Sequence, residues 1–321
     1  MTRSSLLIIA GLAAIAGASL LFVSRDAPLP TGGALPQPSS TERAAAPQAA
    51  STMDGFGQPA AGSPASSAPA AIRVRPPDPM AANFAATDDL LAFVEGIHPT
   101  AEAGDGAAAY YMFRALDRCQ TEYGMRFGGG RRERPFDDVL ADPSVVSQYG
   151  EADLRRIYGQ CQRLRESDLA RLGPMDDWLL KAADARYPRA QAELALHLVN
   201  GTTGTQDPEA LEKARELARA ALESKDPAVF VPVSSVIGRL TEGNADRDAS
   251  WFVAACQRGF DCSPGSEMTR IVCRFDTNCQ PYESSLDLLR RHSGNDFDAI
   301  ERGAREINAA IDAGRFDELG L

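Results

Sequence analysis

All six cysteines of the chain lie after residue 118, behind an apolar N-terminal run and a long stretch rich in alanine and proline. An even number of cysteines downstream of an export segment is typical of disulfide bonds formed in an oxidising compartment. Each such bond contributes about 2 to 4 kcal/mol to the stability of a fold. The sequence therefore predicts a folded part that is stapled by disulfides.

The cysteine positions predict one pair directly. Cys119 lies on a predicted helix near residues 107–122, and Cys161 lies on another near residues 151–165. No other cysteine is close to either in the sequence. We therefore expect Cys119 and Cys161 to pair and to join these two helices.

The remaining cysteines, Cys256, Cys262, Cys273 and Cys279, allow three pairings. Side-by-side antiparallel helices favour Cys256–Cys273 and Cys262–Cys279 over the two local loops. Zinc sites favour Cys-x2-Cys spacing, whereas the spacing here is Cys-x5-Cys twice with no histidine nearby. The sequence thus predicts disulfides and no metal, and paired sulfurs exclude a catalytic thiolate.

An uncharged run of 18 residues extends from Leu6 to Val23. A bilayer-spanning helix needs about 20 apolar residues, so the run predicts an uncleaved signal anchor within residues 1–25. Cleavage after the small residues 16–18 remains the alternative. In both interpretations the chain after residue 26 is exported to the far side of the membrane.

Arginine accounts for 30 of the 33 basic residues, and alanine, glycine and proline are abundant. This composition is typical of GC-rich bacterial genomes. We therefore expect the bacterial periplasm as the location, with an inner-membrane anchor at residues 6–23. A cleaved signal would instead release the protein into the periplasm.

Residues 26–80 hold 11 of the 21 prolines and few large apolar side chains. Such a segment cannot bury enough surface to offset its ordering entropy, so it is predicted to be a disordered linker. Its mean reach as a flexible coil is about 40 Å. The linker either holds a domain away from the membrane or serves as a spacer without a length requirement.

Residues 81–321 form the predicted folded domain and carry 28 basic against 40 acidic side chains, a net charge of −12. Nucleic acid requires clustered lysine and arginine, so an acidic domain disfavours it as a partner. Basic or neutral proteins are the expected partners.

The apolar spacing of the domain predicts an all-α fold. Asp207-Pro208 and Asp226-Pro227 are typical helix starts, and a further start is expected near Thr87. The last helix is predicted from about Asp296, with Phe297 first on its apolar face. We expect helical hairpins in a short solenoid-like or irregular right-handed array.

An internal repeat extends over residues 174–262. The dipeptide Ala-Ala recurs at 182–183, 220–221 and 254–255, and Trp178 and Trp251 precede the first and third copies by similar intervals. A two-helix unit of about 34 residues with small residues at the helix contacts is typical of tetratricopeptide-class solenoids.

The segment from Trp178 to Ala183, followed by Ala190, Leu194 and Gly201, resembles the Sel-one-type relative of the tetratricopeptide repeat. The second unit departs from the pattern, with Pro232 where the first has Leu194. Members of that family are mostly non-enzymatic adaptors, and many bacterial members lie in the cell envelope. The resemblance implies a protein-binding role.

Sequence motifs for catalysis are weak. His98, His197 and His292 lie on three separate predicted segments, and the acidic pairs 88–89 and 176–177 fit helix starts better than a general acid–base pair. The glycine-rich segment 128–134 lacks the Lys-Ser/Thr ending of a phosphate loop. We therefore expect no catalytic residue and no cofactor.

The most consistent interpretation is an envelope-tethered helical binding or scaffold module for another protein. The candidate contact residues are Arg131, Arg132, Arg134, Tyr187, His197 and Arg239. Two alternatives remain open. One is a periplasmic hydrolase with a carboxylate site, and the other is a structural spacer without a specific ligand.

Overall fold

Helices account for all regular secondary structure in the residues that the computed structural model describes. These residues are 78–127, 133–164, 166–201, 207–241, 245–273 and 283–321. The prediction of an all-α fold is confirmed over these ranges. The predicted anchor at 6–23, most of the predicted linker, and Arg131, Arg132 and Cys279 lie outside them.

We number the helices in chain order. The first eight are α1 (Pro79–Ala86), α2 (Leu90–Glu102), α3 (Gly106–Asp117), α4 (Tyr123–Phe127), α5 (Phe136–Leu140), α6 (Pro143–Tyr149), α7 (Glu151–Cys161) and α8 (Glu166–Leu172). The others are α9 (Met175–Asp184), α10 (Pro188–Gly201), α11 (Pro208–Glu223), α12 (Phe230–Leu240), α13 (Ala245–Gln257), α14 (Glu267–Cys273), α15 (Ser285–Ser293) and α16 (Phe297–Asp312). A π-helical turn, Arg118–Glu122, connects α3 to α4, and short 3-10 turns lie at Pro227–Val229, Gly294–Asp296 and Phe316–Leu319.

The predicted helix starts carry side-chain caps. Asp89 accepts a hydrogen bond from the Ala92 amide at the start of α2, and Asp207 caps α11. Each satisfies an amide that the first helical turn leaves without a partner. Asp78 caps α1 in the same way, so ordered structure begins before residue 81.

The helices enclose two apolar cores. Phe113 and Trp178 lie in the first, which joins α1 to α4 with α7 and α9. Phe230 and Trp251 lie in the second, which joins α10 to α13 with α15 and α16. Leu194 of α10 packs against both cores. Helix α10 therefore connects the two halves of the described domain.

The repeated Ala-Ala pairs lie at helix contacts. Ala182, Ala221 and Ala254 are all fully buried, and both repeat tryptophans are buried. Helix α10 packs against α9, α11 and α12, and α12 packs against α13. Alanine allows helix axes to approach closely, which accounts for the recurrence of small residues at these positions.

The predicted Cys119–Cys161 disulfide is confirmed, with the two Cα atoms 5.3 Å apart. It joins the π-helical turn to the last residue of α7. Because the two residues are 42 positions apart, this bond closes a long loop of the chain. It also fixes the π-helical turn on the neighbouring helix.

The predicted Cys256–Cys273 and Cys262–Cys279 pairs are wrong, because Cys256 is bonded to Cys262. Helix α13 ends at Gln257, and Gly259 adopts a positive φ of 93°. The chain reverses there and brings the two Cα atoms to 5.8 Å. Cys273 is also in a disulfide. Within the described ranges, no three His, Cys, Asp or Glu side chains are placed to hold a metal ion.

In the part of the chain that the structure describes, no helix is both long enough and apolar enough to cross a bilayer.

Candidate functional site

The π-helical turn Arg118–Glu122 is the most unusual backbone feature of the described domain. The Tyr123 amide donates to the Arg118 carbonyl, which widens the helix by one residue before α4 resumes. Single π-helical turns inside α-helices are rare and occur frequently at functional sites. The side chains around this turn therefore define the candidate site.

Charged residues recur every fourth position through the turn, at Arg114, Arg118, Glu122 and Arg126. Arg118 and Arg126 are each only 3% exposed. A buried guanidinium is costly unless acidic groups surround it. The surrounding helices supply those groups.

Arg118 is bonded to Glu267, the first residue of α14, and its Nε lies 3.9 Å from Glu122 Oε1. Arg126 Nη1 donates to Glu122 Oε2 at 3.0 Å, and its Nη2 lies 3.3 Å from Asp153 Oδ2. Glu122 therefore bridges the two buried arginines.

The charges continue onto α7. Arg156 Nη2 donates to Asp153 Oδ1 at 2.5 Å, and Arg156 Nη1 donates to Gln160 at 3.0 Å. We call Arg118, Arg126, Arg156, Glu122, Asp153 and Glu267 the arginine network. The Nε atoms of its three arginines are buried without a hydrogen-bond acceptor among the described residues.

A second group of charges lies where α3 approaches α10. His197 packs edge-on against Phe113, with ring centroids 5.9 Å apart, and its Nε2 lies 3.8 Å from Glu193 Oε1. Arg114 donates to the Tyr110 hydroxyl at 3.3 Å. Burial raises the pKa of Glu193, and Arg114 and His197 only partly offset this effect.

Asp117 shares this environment. Burial raises the pKa of Asp117, while Arg114 and a hydrogen bond with Thr121 oppose the increase. The side chains of Glu193 and His197 are 25% and 34% exposed, so this group remains accessible from solvent.

Glu267 shows the opposite shift. Burial acts to raise its pKa, but neighbouring arginines outweigh that effect and lower the pKa to about 2. The arginines are Arg118, Arg114, Arg156 and Arg270, in decreasing order of effect. The Glu267 side chain is nevertheless 43% exposed, whereas that of its partner Arg118 is 3% exposed.

We call Arg114, Asp117, Arg118, Glu193, His197 and Glu267 the π-turn site. Three separate parts of the chain build it, namely α3 with the π-helical turn, α10 and α14. The site combines a buried guanidinium with acidic groups whose pKa values are shifted in opposite directions. Such a combination suits recognition of charged groups or proton transfer.

Of the residues proposed from the sequence, the structure places His197 in the π-turn site. Tyr187 lies between α9 and α10, where its hydroxyl donates to Asp78 Oδ2 at 2.6 Å and its ring packs against Tyr110. Arg189 extends this contact by donating to Tyr111 and Asp226. These hydrogen bonds connect the start of α1 to the repeat region. The contacts of Tyr187 therefore give this residue a structural role.

Two other proposed residues lie elsewhere. Arg239 is exposed in the last turn of α12. Arg134 forms an ion pair with Asp142 at 3.2 Å and donates to the Asp138 carbonyl. A contact role for either residue stays a prediction, and Arg131 and Arg132 lie outside the described residues.

The sequence alone did not predict a role for Arg114, Arg118 or Glu267. Arginine and glutamate are mostly exposed in proteins, so composition gives no reason to place them in a buried network. A signal was present in the regular spacing of charges, which recur every four residues from residue 114 to residue 126 and therefore lie on one side of the helix. Glu267 had no comparable signal, because only the tertiary fold brings it to Arg118.

No protein-family model, curated protein or solved structure matches this chain.

Glu193→Gln should raise the melting temperature near neutral pH and leave it unchanged at about pH 3.5. A carboxyl whose pKa is higher in the folded than in the unfolded chain destabilises the fold where both states are ionised. This cost disappears as the pH falls through the folded-state pKa toward the unfolded value. Glutamine imitates the protonated form, and thermal unfolding followed by circular dichroism measures the difference.

Glu267→Gln is a control for which we expect the opposite change in melting temperature. Because the pKa of Glu267 is lowered in the folded chain, the ionised carboxylate stabilises the fold at pH values above its unfolded-state pKa. This contribution is lost as the pH falls from 4.5 to about 2. This variant should lower the melting temperature near neutral pH. If both variants change the melting temperature near neutral pH in the same direction, the opposite pKa shifts assigned to Glu193 and Glu267 are contradicted.

Proposed function

We propose that this chain is a helical binding module that recognises another protein through the π-turn site. The observation that supports this most directly is the convergence of charged side chains from α3, α10 and α14 at a solvent-accessible π-helical turn. Three separate segments of the chain thus contribute charged side chains to one polar surface, which the proposed partner would contact.

The repeat region supports the same proposal. Each Ala-Ala pair along α9 to α13 contains a buried alanine, and a buried tryptophan precedes two of the pairs, in keeping with the resemblance to Sel-one-type repeats. We propose that these helices form a short solenoid-like stack that holds α10, with Glu193 and His197, against α3. The periplasmic location and the N-terminal anchor are part of this proposal, and the apolar run and the composition of the sequence support them.

His197→Ala should reduce recovery of the partner protein at least tenfold in a cross-linked pull-down from the native envelope. The imidazole lies at the accessible edge of the site, so its loss removes contact area and a hydrogen-bonding group without emptying a core. Recovery is quantified by mass spectrometry relative to the bait.

His98→Ala is a closely matched control. His98 is 33% exposed at its side chain, lies 3.9 Å from Glu102, and packs edge-on against Trp178. It therefore reproduces the surroundings of His197 on α2. The proposal expects full recovery with His98→Ala. Equal losses for both variants, or no stoichiometric partner with the parent chain, would refute it.

A second candidate function is acid–base hydrolysis, and the raised pKa values of Asp117 and Glu193 favour it. A general acid must hold its proton near the working pH, which burial helps both carboxyls to do. Turnover of purified peptidoglycan by the parent chain, reduced at least a hundredfold in Asp117→Asn and Glu193→Gln, would support this function. Equal release of fragments by parent and variants would exclude it.

A further inference from the structure

Arg118 is a buried cation with unused hydrogen-bonding capacity. Its side chain is 3% exposed, and its guanidinium stacks over the Phe84 ring at 4.7 Å from the centroid. Its Nη2 donates to Glu267, but its Nε has no acceptor among the described residues. A guanidinium presents five donors in a planar fork that fits a carboxylate with two parallel bonds. The present contacts with Glu267 and Glu122 do not use that capacity fully.

Glu267 is an accessible counterion for this buried group. It reaches Arg118 from a position 149 residues later in the chain, and its side chain is 43% exposed. It begins α14, a helix of seven residues. A carboxylate at the surface of a buried arginine can be exchanged for another carboxylate without uncovering the apolar core.

We propose that Arg118 and its neighbours Arg114, Arg156 and Arg270 form a binding site for a carboxylate of an acidic peptide segment. In the free chain Glu267 occupies this carboxylate-binding site. This inference rests on the proposed protein-binding function and names the chemistry of the partner segment. When the partner binds, its carboxylate takes the position of Glu267, and Glu267 turns into solvent.

The charges favour such an exchange. The arginine network holds three arginines and three carboxylates, so the loss of Glu267 leaves it one positive charge in excess. Arg114 and Arg270 are also close enough to lower the Glu267 pKa. The net charge of the domain is negative, but salt screens distant charges beyond about 8 Å at physiological ionic strength. Recognition of an acidic segment therefore depends on the local arginines.

The test uses the purified full chain and a dye-labelled hexaglutamate peptide, with binding followed by fluorescence anisotropy. Glu267→Gln should bind the peptide at least tenfold more tightly than the parent, because it removes the negative charge that competes with the peptide carboxylate for Arg118. Glu95→Gln is the matched control, since Glu95 is a half-exposed acid paired with Arg171 at 3.0 Å on another surface. The change in net charge is the same, and no gain is expected.

Arg118→Lys in the Glu267→Gln background should cancel the gain, because lysine keeps the charge but loses the planar fork. Circular dichroism checks that the double variant is folded. Should it unfold, Arg270→Gln in the same background provides the exposed alternative and should weaken binding at least threefold.

The proposal is overturned if Glu267→Gln and the parent bind equally, if Glu95→Gln gains as much, or if hexalysine binds as well as hexaglutamate. Competition by inorganic phosphate at the same concentration as the peptide would also overturn the proposal, since the carboxylate-binding site would then accept any anion. If an envelope partner is captured but hexaglutamate does not compete for it, the binding function stands and acidic recognition fails. If hexaglutamate binds as expected but no partner is recovered, only the proposed function fails.

Discussion

Replacing Cys119 and Cys161 together by alanine should lower the free energy of unfolding by about 4 kcal/mol. The bond closes a loop of 42 residues, and the entropy that a crosslink removes from the unfolded chain grows with the logarithm of loop length. For a domain of this size the melting temperature should fall by about 8 to 16 °C. Urea unfolding followed by circular dichroism, with the other cysteines oxidised, measures the change.

The Cys256–Cys262 bond is the internal control. It closes a loop of only six residues, so its removal by double alanine substitution should cost about 2 kcal/mol. A loss as large as that for Cys119 and Cys161 would show that loop length does not govern the effect. A loss below about 1 kcal/mol for the long loop would contradict the prediction.

The predictions for these two bonds had different outcomes for a physical reason. Cys119 and Cys161 were identified because each lies alone on its predicted helix, so no local partner competed. Cys256 had three candidate partners, and the choice among them depended on how the chain leaves α13. The reversal at Gly259 decides this choice, and apolar periodicity carries no information about such a turn.

The helices themselves were largely predictable. Asp207-Pro208 marks the start of α11, and Phe297 begins α16 where the apolar spacing placed it. Caps and periodicity are local signals, so a single sequence contains them. The π-helical turn at residue 118 was not predicted, because a break of one residue in the helical register depends on the disulfide and the ion pairs around it.

The candidate site was predictable only in part. His197 was noticed as a rare histidine on a repeat helix, whereas Arg118 and Glu267 belong together only in the folded chain. Sequence shows the spacing of charges along one helix but not which distant segment neutralises them. The charges at residues 114–126 therefore indicate one part of the arginine network. The sequence does not identify the residues of other segments that complete it.

Asp153→Ala should lower the free energy of unfolding by about 3 to 5 kcal/mol, which is the usual cost of removing one partner from a buried ion pair. The Asp153 side chain is 7% exposed and contacts both Arg126 and Arg156. Arg126 is 1% exposed at its side chain, so it keeps its charge and loses one of its two acidic neighbours. Urea unfolding at neutral pH measures the loss.

Glu151→Ala on the same helix is the control, because Glu151 pairs with Arg155 at 2.7 Å with both side chains more than half exposed. Its loss should cost less than about 1 kcal/mol.

The double variant Arg126→Met with Asp153→Leu replaces the buried pair by apolar groups and should recover most of the stability that Asp153→Ala loses. Recovery would mean that the buried charges are not retained for stability. A double variant less stable than Asp153→Ala would instead assign the arginine network a structural role.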